Sequence, residues 1–144
     1  ASSERWLVVM CDDEISKYYR SLFYAETPWL GKLTRPVWGT HLSVIRGEIW
    51  DVAVDLRSGS STFLHWHAEV LSADNCRALL IPEGFAHGFQ TLTDNAEIFY
   101  QVSQFYAPKY ERGIRWDDSI FHIEWPLPLS VISEKDRNYP NFRA

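Results

Sequence analysis

From Leu42 to Phe105 the chain is a succession of short apolar runs, each closed within a few residues by a turn-forming cluster. That rhythm suits strands and leaves little room for helices of ordinary length. Leu42, Val44 and Arg46 alternate with Ser43 and Ile45, and the segment from Ile49 to Leu56 is β-branched and apolar. Arg57 to Ser61 supplies a turn, and Thr62 to Leu71 reads as the strand that returns from it to complete a hairpin. Ser72 to Asn75 forms the next turn, Cys76 to Ile81 the next strand, and Pro82 to Gly84 a tight reversal. Phe89 to Leu92, Thr93-Asp94-Asn95 and Ala96 to Phe105 read as a further hairpin. Strands of this length and spacing imply a sandwich or barrel.

The first forty residues read differently. Leu7 to Met10 has the composition of a strand. Asp12 or Asp13 is placed to cap a short helix from Glu14 to Tyr24, in which Ile15, Tyr18, Tyr19 and Leu22 share one face. After Tyr106 the chain loosens into proline-containing loops, with a short helix expected around Ser133 to Arg137. At 144 residues the expectation is one domain over 1–144, its N-terminal segment 1–40 distinct from a barrel and tail over 41–144.

Charge and cysteine usage narrow the function classes. A net charge of −5, with no stripe of lysines and arginines, argues against a nucleic-acid partner. No apolar stretch approaches the roughly 20 residues that span a bilayer, so no membrane partner is expected. Cys11 and Cys76 lack paired spacing and read as reduced thiols of a cytoplasmic protein. Seven tryptophans are read mainly as core filling.

Chemistry concentrates around Pro82-Glu83-Gly84-Phe85-Ala86-His87. Pro fixes one dihedral and Gly admits a positive one, so the chain reverses and starts a new strand with His87 aimed inward. Such a turn between apolar strands points to a cupin, a jelly-roll barrel or double-stranded β-helix. Asp51 and Asp55 lie four apart on one strand and so share a face. A buried carboxylate there must be paired, and Asp55 is expected to hold Arg57 or nearby backbone. Glu111, Arg112 and Arg115 read as a solvated or subunit-facing cluster, with arginines that also suit a diphosphate.

A longer set of segments carries a resemblance. Arg46-Gly47-Glu48, Asp51-Val52-Ala53-Val54-Asp55-Leu56-Arg57, Ile81 to Phe89, Tyr106-Ala107-Pro108, Glu111 to Asp118, Glu124-Trp125-Pro126 and Ser133-Glu134-Lys135-Asp136 together resemble the dTDP-4-dehydrorhamnose 3,5-epimerase family over about 46–140. The resemblance implies an all-β cupin jelly roll with a short N-terminal helix and a loop-rich C-terminal segment, usually a homodimer and without metal or other cofactor. It implies an isomerase acting on a nucleotide-linked 4-keto-6-deoxy sugar in dTDP-rhamnose biosynthesis. Protons on carbons beside a ketone are acidified, so inversion needs a base on one ring face and a proton donor on the other.

Carried over position by position, Tyr100 matches the family's proton donor and Asp136 the carboxylate that orients its histidine base. His87, Asp51, Tyr106 and Glu111 fall at substrate-facing positions. The family's Arg-Gly-Leu-His-x-Gln strand is not found in this chain, and Thr40 stands in the register of its lysine. His41 is the one upstream candidate for the base, although alternation turns it opposite to Thr40.

Two other readings stay open. One is a non-catalytic sugar-nucleotide-binding or scaffold cupin that has lost the base. The other is a metal-dependent cupin using His65, His67 and His87, which requires three imidazoles to converge.

Overall fold

The computed structural model describes residues 7–11, 39–102 and 111–143. Seven strands and one short helix occur among them: β1 (Leu7–Cys11), β2 (Gly39–Arg46), β3 (Glu48–Asp55), β4 (Trp66–Ser72), β5 (Ala78–Pro82), β6 (Phe85–Thr91), β7 (Glu97–Val102) and α1 (Glu134–Arg137). The strands form two antiparallel sheets, one in the order β1-β6-β3-β4 and the other in the order β5-β2-β7. The expected helix over Glu14 to Tyr24 lies outside the described residues.

Between the sheets Leu42, Val44, Ile49 and Leu71 pack into one buried cluster, with Leu79, Phe89, Ala96 and Ile98 against it. Each fully buried side chain of this kind contributes roughly 1.5–3 kcal/mol by leaving water. A second cluster lies on the other side of the larger sheet, where Val54 and Ala86 meet Ile114, Phe121 and Ile132 of the C-terminal segment. The C-terminal loops are therefore a structural layer, fixed by directional bonds as well as by area. Trp66 Nε1 donates to the Phe121 carbonyl at 2.9 Å, Trp125 Nε1 to Trp116 at 2.9 Å, and the Gln90 amide exchanges two bonds with Leu127. The Trp50 and Trp125 rings meet edge-on at 5.1 Å.

β3 consequently faces two cores. From Asp51 to Asp55 every residue is buried, Ile49 and Asp51 pointing between the sheets and Val52 and Val54 toward the C-terminal layer.

The β3–β4 hairpin forms as read, although β4 starts at Trp66 and not at Thr62. The difference comes from Asp55. Its Oδ1 accepts from Arg57 N at 3.0 Å and Nε at 2.8 Å, and its Oδ2 from Arg57 Nη2 at 2.7 Å and Thr62 Oγ1 at 2.6 Å. This closes residues 57–65 into successive turns. The β6–β7 hairpin does not form: β6 pairs with β1 and β3, and β7 with β2. The turn at Thr93 to Asn95 carries the chain from one sheet to the other, with Thr93 Oγ1 accepting from Glu48 N at 2.9 Å. The tight reversal at Pro82 to Gly84 is as expected, Gly84 taking φ +80°. Ser133 caps α1, its side chain accepting from Asp136 N.

Candidate functional site

The register of the larger sheet decides what looks into the barrel. On the face shared with Ile49 and Leu71, successive cross-strand rows are Leu71–Ile49–Thr91, Glu69–Asp51–Phe89 and His67–Ala53–His87. Leu71 and Ile49 belong to the cluster between the sheets, so the two polar rows face the barrel interior above a closed apolar end.

In those rows His87 Nε2 lies 2.5 Å from Asp51 Oδ1, with Asp51 fully buried and the His87 side chain 10% exposed. Among the described residues Asp51 Oδ2 has no hydrogen-bond partner. A buried carboxylate bonded to one imidazole nitrogen fixes the tautomer and leaves the other nitrogen as the basic one. Sequence reasoning placed both residues inward but did not pair them. They are 36 positions apart, and only the β3–β6 register brings them together.

Tyr100 stands on the facing sheet. It is the cross-strand partner of Leu42, whose other neighbour is Leu79, and these belong with the inter-sheet cluster. Tyr100 therefore shares the inner face, and at 58% exposed it stands where solvent reaches. Thr40 is on the same face, opposite Ile81 and Val102.

His41 pairs with Leu80 and Gln101 on the opposite, outward face and is exposed. The physical reason is strand parity, since Thr40 and Leu42 take the inward positions on either side of it.

Asp136 is buried at 3% exposure in the C-terminal layer. Its Oδ2 accepts from Ser133 Oγ at 2.7 Å and its Oδ1 has no partner among the described residues, which include all five histidines, so no imidazole orients on it. Glu111, half-buried, is ion-paired with Lys135, and that bond holds the lysine's pKa above its ordinary value. Tyr106 lies outside the described residues.

The three histidines weighed as metal ligands do not converge. His65 is exposed in the loop before β4, the His67 ring stands 3.3 Å from Glu69, and His87 bonds Asp51. Among the described residues no group of three or more ligating side chains stands close enough to hold a metal ion.

One grouping was not read from the sequence. His67 Nε2 lies 3.3 Å from Glu69 Oε1, and Arg77 Nη1 reaches Glu69 Oε2 at 2.9 Å. Period-two alternation from Leu71 would have put Glu69 and His67 on the inner face.

The barrel with these inward polar rows matches a known family. The model of the dTDP-4-dehydrorhamnose 3,5-epimerase family fits residues 32–144. The chain belongs to the dTDP-4-dehydrorhamnose 3,5-epimerase family. Among curated members of that epimerase family, those of Methanothermobacter thermautotrophicus and Shigella flexneri are each 46% identical to it, over 86% and 85% of the chain. The chain spans 64% of the length of each. Two solved epimerase structures give the same architecture. A Bacillus anthracis dTDP-4-dehydrorhamnose 3,5-epimerase with TDP and pyrophosphate bound is 42% identical with a TM-score of 0.71, covering 72% of this chain and 59% of that one. A 4-keto-6-deoxy sugar epimerase from Streptomyces spheroides, 26% identical with a TM-score of 0.73, covers 98% of this chain and 64% of that one. As in those relatives the fold is a cupin-type jelly roll.

Proposed function

We propose that the chain epimerises carbons beside the ketone of a dTDP-linked 4-keto-6-deoxyhexose, with the His87–Asp51 pair as base and Tyr100 as proton donor. The observation that carries this is the buried imidazole–carboxylate pair on the inner face of one sheet, with Tyr100 on the inner face of the other. A pyranose lying between the sheets has a base on one side and a donor on the other. His87 takes the α-proton, the C–H electron pair passes into the enolate, and the Tyr100 hydroxyl returns a proton to the opposite ring face. The phenolate is then reprotonated by water. Related structures, one with TDP and pyrophosphate bound and one from Legionella pneumophila in complex with dTDP-4-keto-L-rhamnose, support the nucleotide-sugar class.

His41 has no part in this reading, because it faces outward. Asp136, Glu111 and Tyr106 are assigned to binding and support. The reading extends to a single domain, a cytoplasmic setting and a homodimer. Exposed Ile45, Leu80 and Phe99 on the smaller sheet support the homodimer, which analytical ultracentrifugation tests. Among the described residues no helix is long and apolar enough to cross a membrane.

The deciding experiment is incubation with dTDP-4-keto-6-deoxyglucose in heavy water. Deuterium entering beside the ketone, and its reduction about a hundredfold or more by Tyr100→Phe, supports the assignment. Nucleotide-sugar binding without exchange favours the non-catalytic alternative, which draws on the Thr40 found in place of a lysine.

A further inference from the structure

The inner face of the larger sheet carries two imidazole–carboxylate pairs, and the mechanism above uses one. His67 and His87 occupy a single cross-strand row with Ala53 between them, and their carboxylates, Glu69 and Asp51, are neighbours in the adjoining row. His87 Nε2 is hydrogen-bonded to Asp51 Oδ1, and His67 Nε2 stands 3.3 Å from Glu69 Oε1, so in each histidine the ring nitrogen turned away from the carboxylate is Nδ1. Arg77 anchors Glu69 through its second oxygen at 2.9 Å, so the outer pair has a support of its own. Its surroundings differ. The His67 side chain is 68% exposed, against 10% for His87, which puts the second imidazole at the open rim of the cleft on edge strand β4.

Two strand spacings separate the histidine backbones, roughly 9–10 Å. A hexopyranose with its substituents is of that width, and the residue between the two histidines in the row is the small Ala53. A sugar seated over Ala53 has one imidazole toward each edge of the ring. The two acidified carbons of a 4-keto sugar flank the carbonyl and lie toward those two edges.

We propose that His67, oriented by Glu69 and Arg77, is a second general base, so that His67 and His87 each serve one of the two carbons beside the ketone. This rests on the epimerase reading above. His67 Nδ1 takes the proton from its carbon, the C–H electron pair forms the enolate, and Tyr100 or water returns a proton to the other face, restoring the ketone with that centre inverted. No redox partner enters.

The test resolves the two positions by NMR, following deuterium at C3 and C5 of dTDP-4-keto-6-deoxyglucose separately for the wild type, His67→Asn, Glu69→Gln and His87→Asn. The expected result is that His67→Asn lowers labelling at one carbon about a hundredfold or more and leaves the other within a few fold. His87→Asn gives the complementary pattern. Glu69→Gln, which keeps the side-chain shape, gives a smaller loss at the same carbon as His67→Asn, separating a chemical role from a folding defect. Equal labelling of both carbons in His67→Asn, or an equal loss at both, overturns the division between the two histidines. Absence of label in the wild type overturns the epimerase reading itself.

Discussion

His87 Nε2 and Asp51 Oδ1 are 2.5 Å apart on neighbouring strands of one sheet, and the pair is closed off from bulk solvent. Asp51 bonds the imidazole through one oxygen, while the other is buried with no partner among the described residues. Burying an incompletely satisfied carboxylate costs stability, and its one bond is to the histidine, which is the group a catalytic carboxylate would act through.

Asp51→Asn should therefore separate activity from stability. The amide cannot stabilise an imidazolium, and epimerisation is expected to fall by about 10²–10⁴-fold. Thermal melting followed by circular dichroism should show a midpoint unchanged or raised, because a buried charge has been removed. A large drop in melting temperature would mean that the pair is structural.

Thr40 lies half-buried on the inner face, at the position that the family resemblance matches to a lysine. A cation there would meet the negative charge that develops on the ketone oxygen. Thr40→Lys is expected to raise the rate of solvent deuterium uptake about tenfold or more. A rate that stays flat while the variant remains folded would show that the enolate is stabilised from elsewhere.

Asp55 makes a different prediction, one of acid stability. Hydrogen bonding from the Arg57 guanidinium holds its carboxyl well below the ordinary carboxylate range, against the opposing effect of burial. A folded-state pKa below the unfolded one gives stability that is complete above the unfolded value of about 3.9 and is lost as pH falls through the folded value. Urea unfolding of the wild type should thus weaken below about pH 4, and Asp55→Asn should flatten that dependence. At neutral pH the same substitution is expected to cost about 2–3 kcal/mol, through the bonds lost to Arg57 and Thr62.

A close approach in the C-terminal layer gives the fourth. A methyl group on Gly113 would lie 2.2 Å from the Tyr139 ring, so Gly113→Ala must displace that ring. The expected cost is about 1–3 kcal/mol in chemical denaturation. In a Tyr139→Ala background the same change should cost clearly less, since the clashing atoms are gone.

The strands, the reversal at Gly84 and the short helix around Ser133 to Arg137 were legible because each is written in neighbouring residues. Alternation and turn chemistry act over a few positions. What the sequence hid was pairing. Thr93 to Asn95 looks like a hairpin turn, yet it passes the chain between sheets, because β7 finds its partner in β2, more than fifty residues earlier. The site was hidden for the same reason. Asp51 and His87 were each visible as inward polar residues, but their bond depends on β6 lying beside β3. His67 was weighed as a metal ligand or a surface residue, although its parity with Leu71 already placed it on the inner face. The outward turn of His41 was readable from parity alone.

β3 is enclosed on both sides from Asp51 through Asp55, whereas β4 and β7 lie at sheet edges, with most of β7 and the first residues of β4 exposed. Substitutions that retune which sugar is accepted will therefore be tolerated at exposed inward positions of the rim that the chemistry does not use, such as Val102, far sooner than along the central strand. A library built on the two rims, with the middle of the barrel left untouched, is where altered selectivity should be sought.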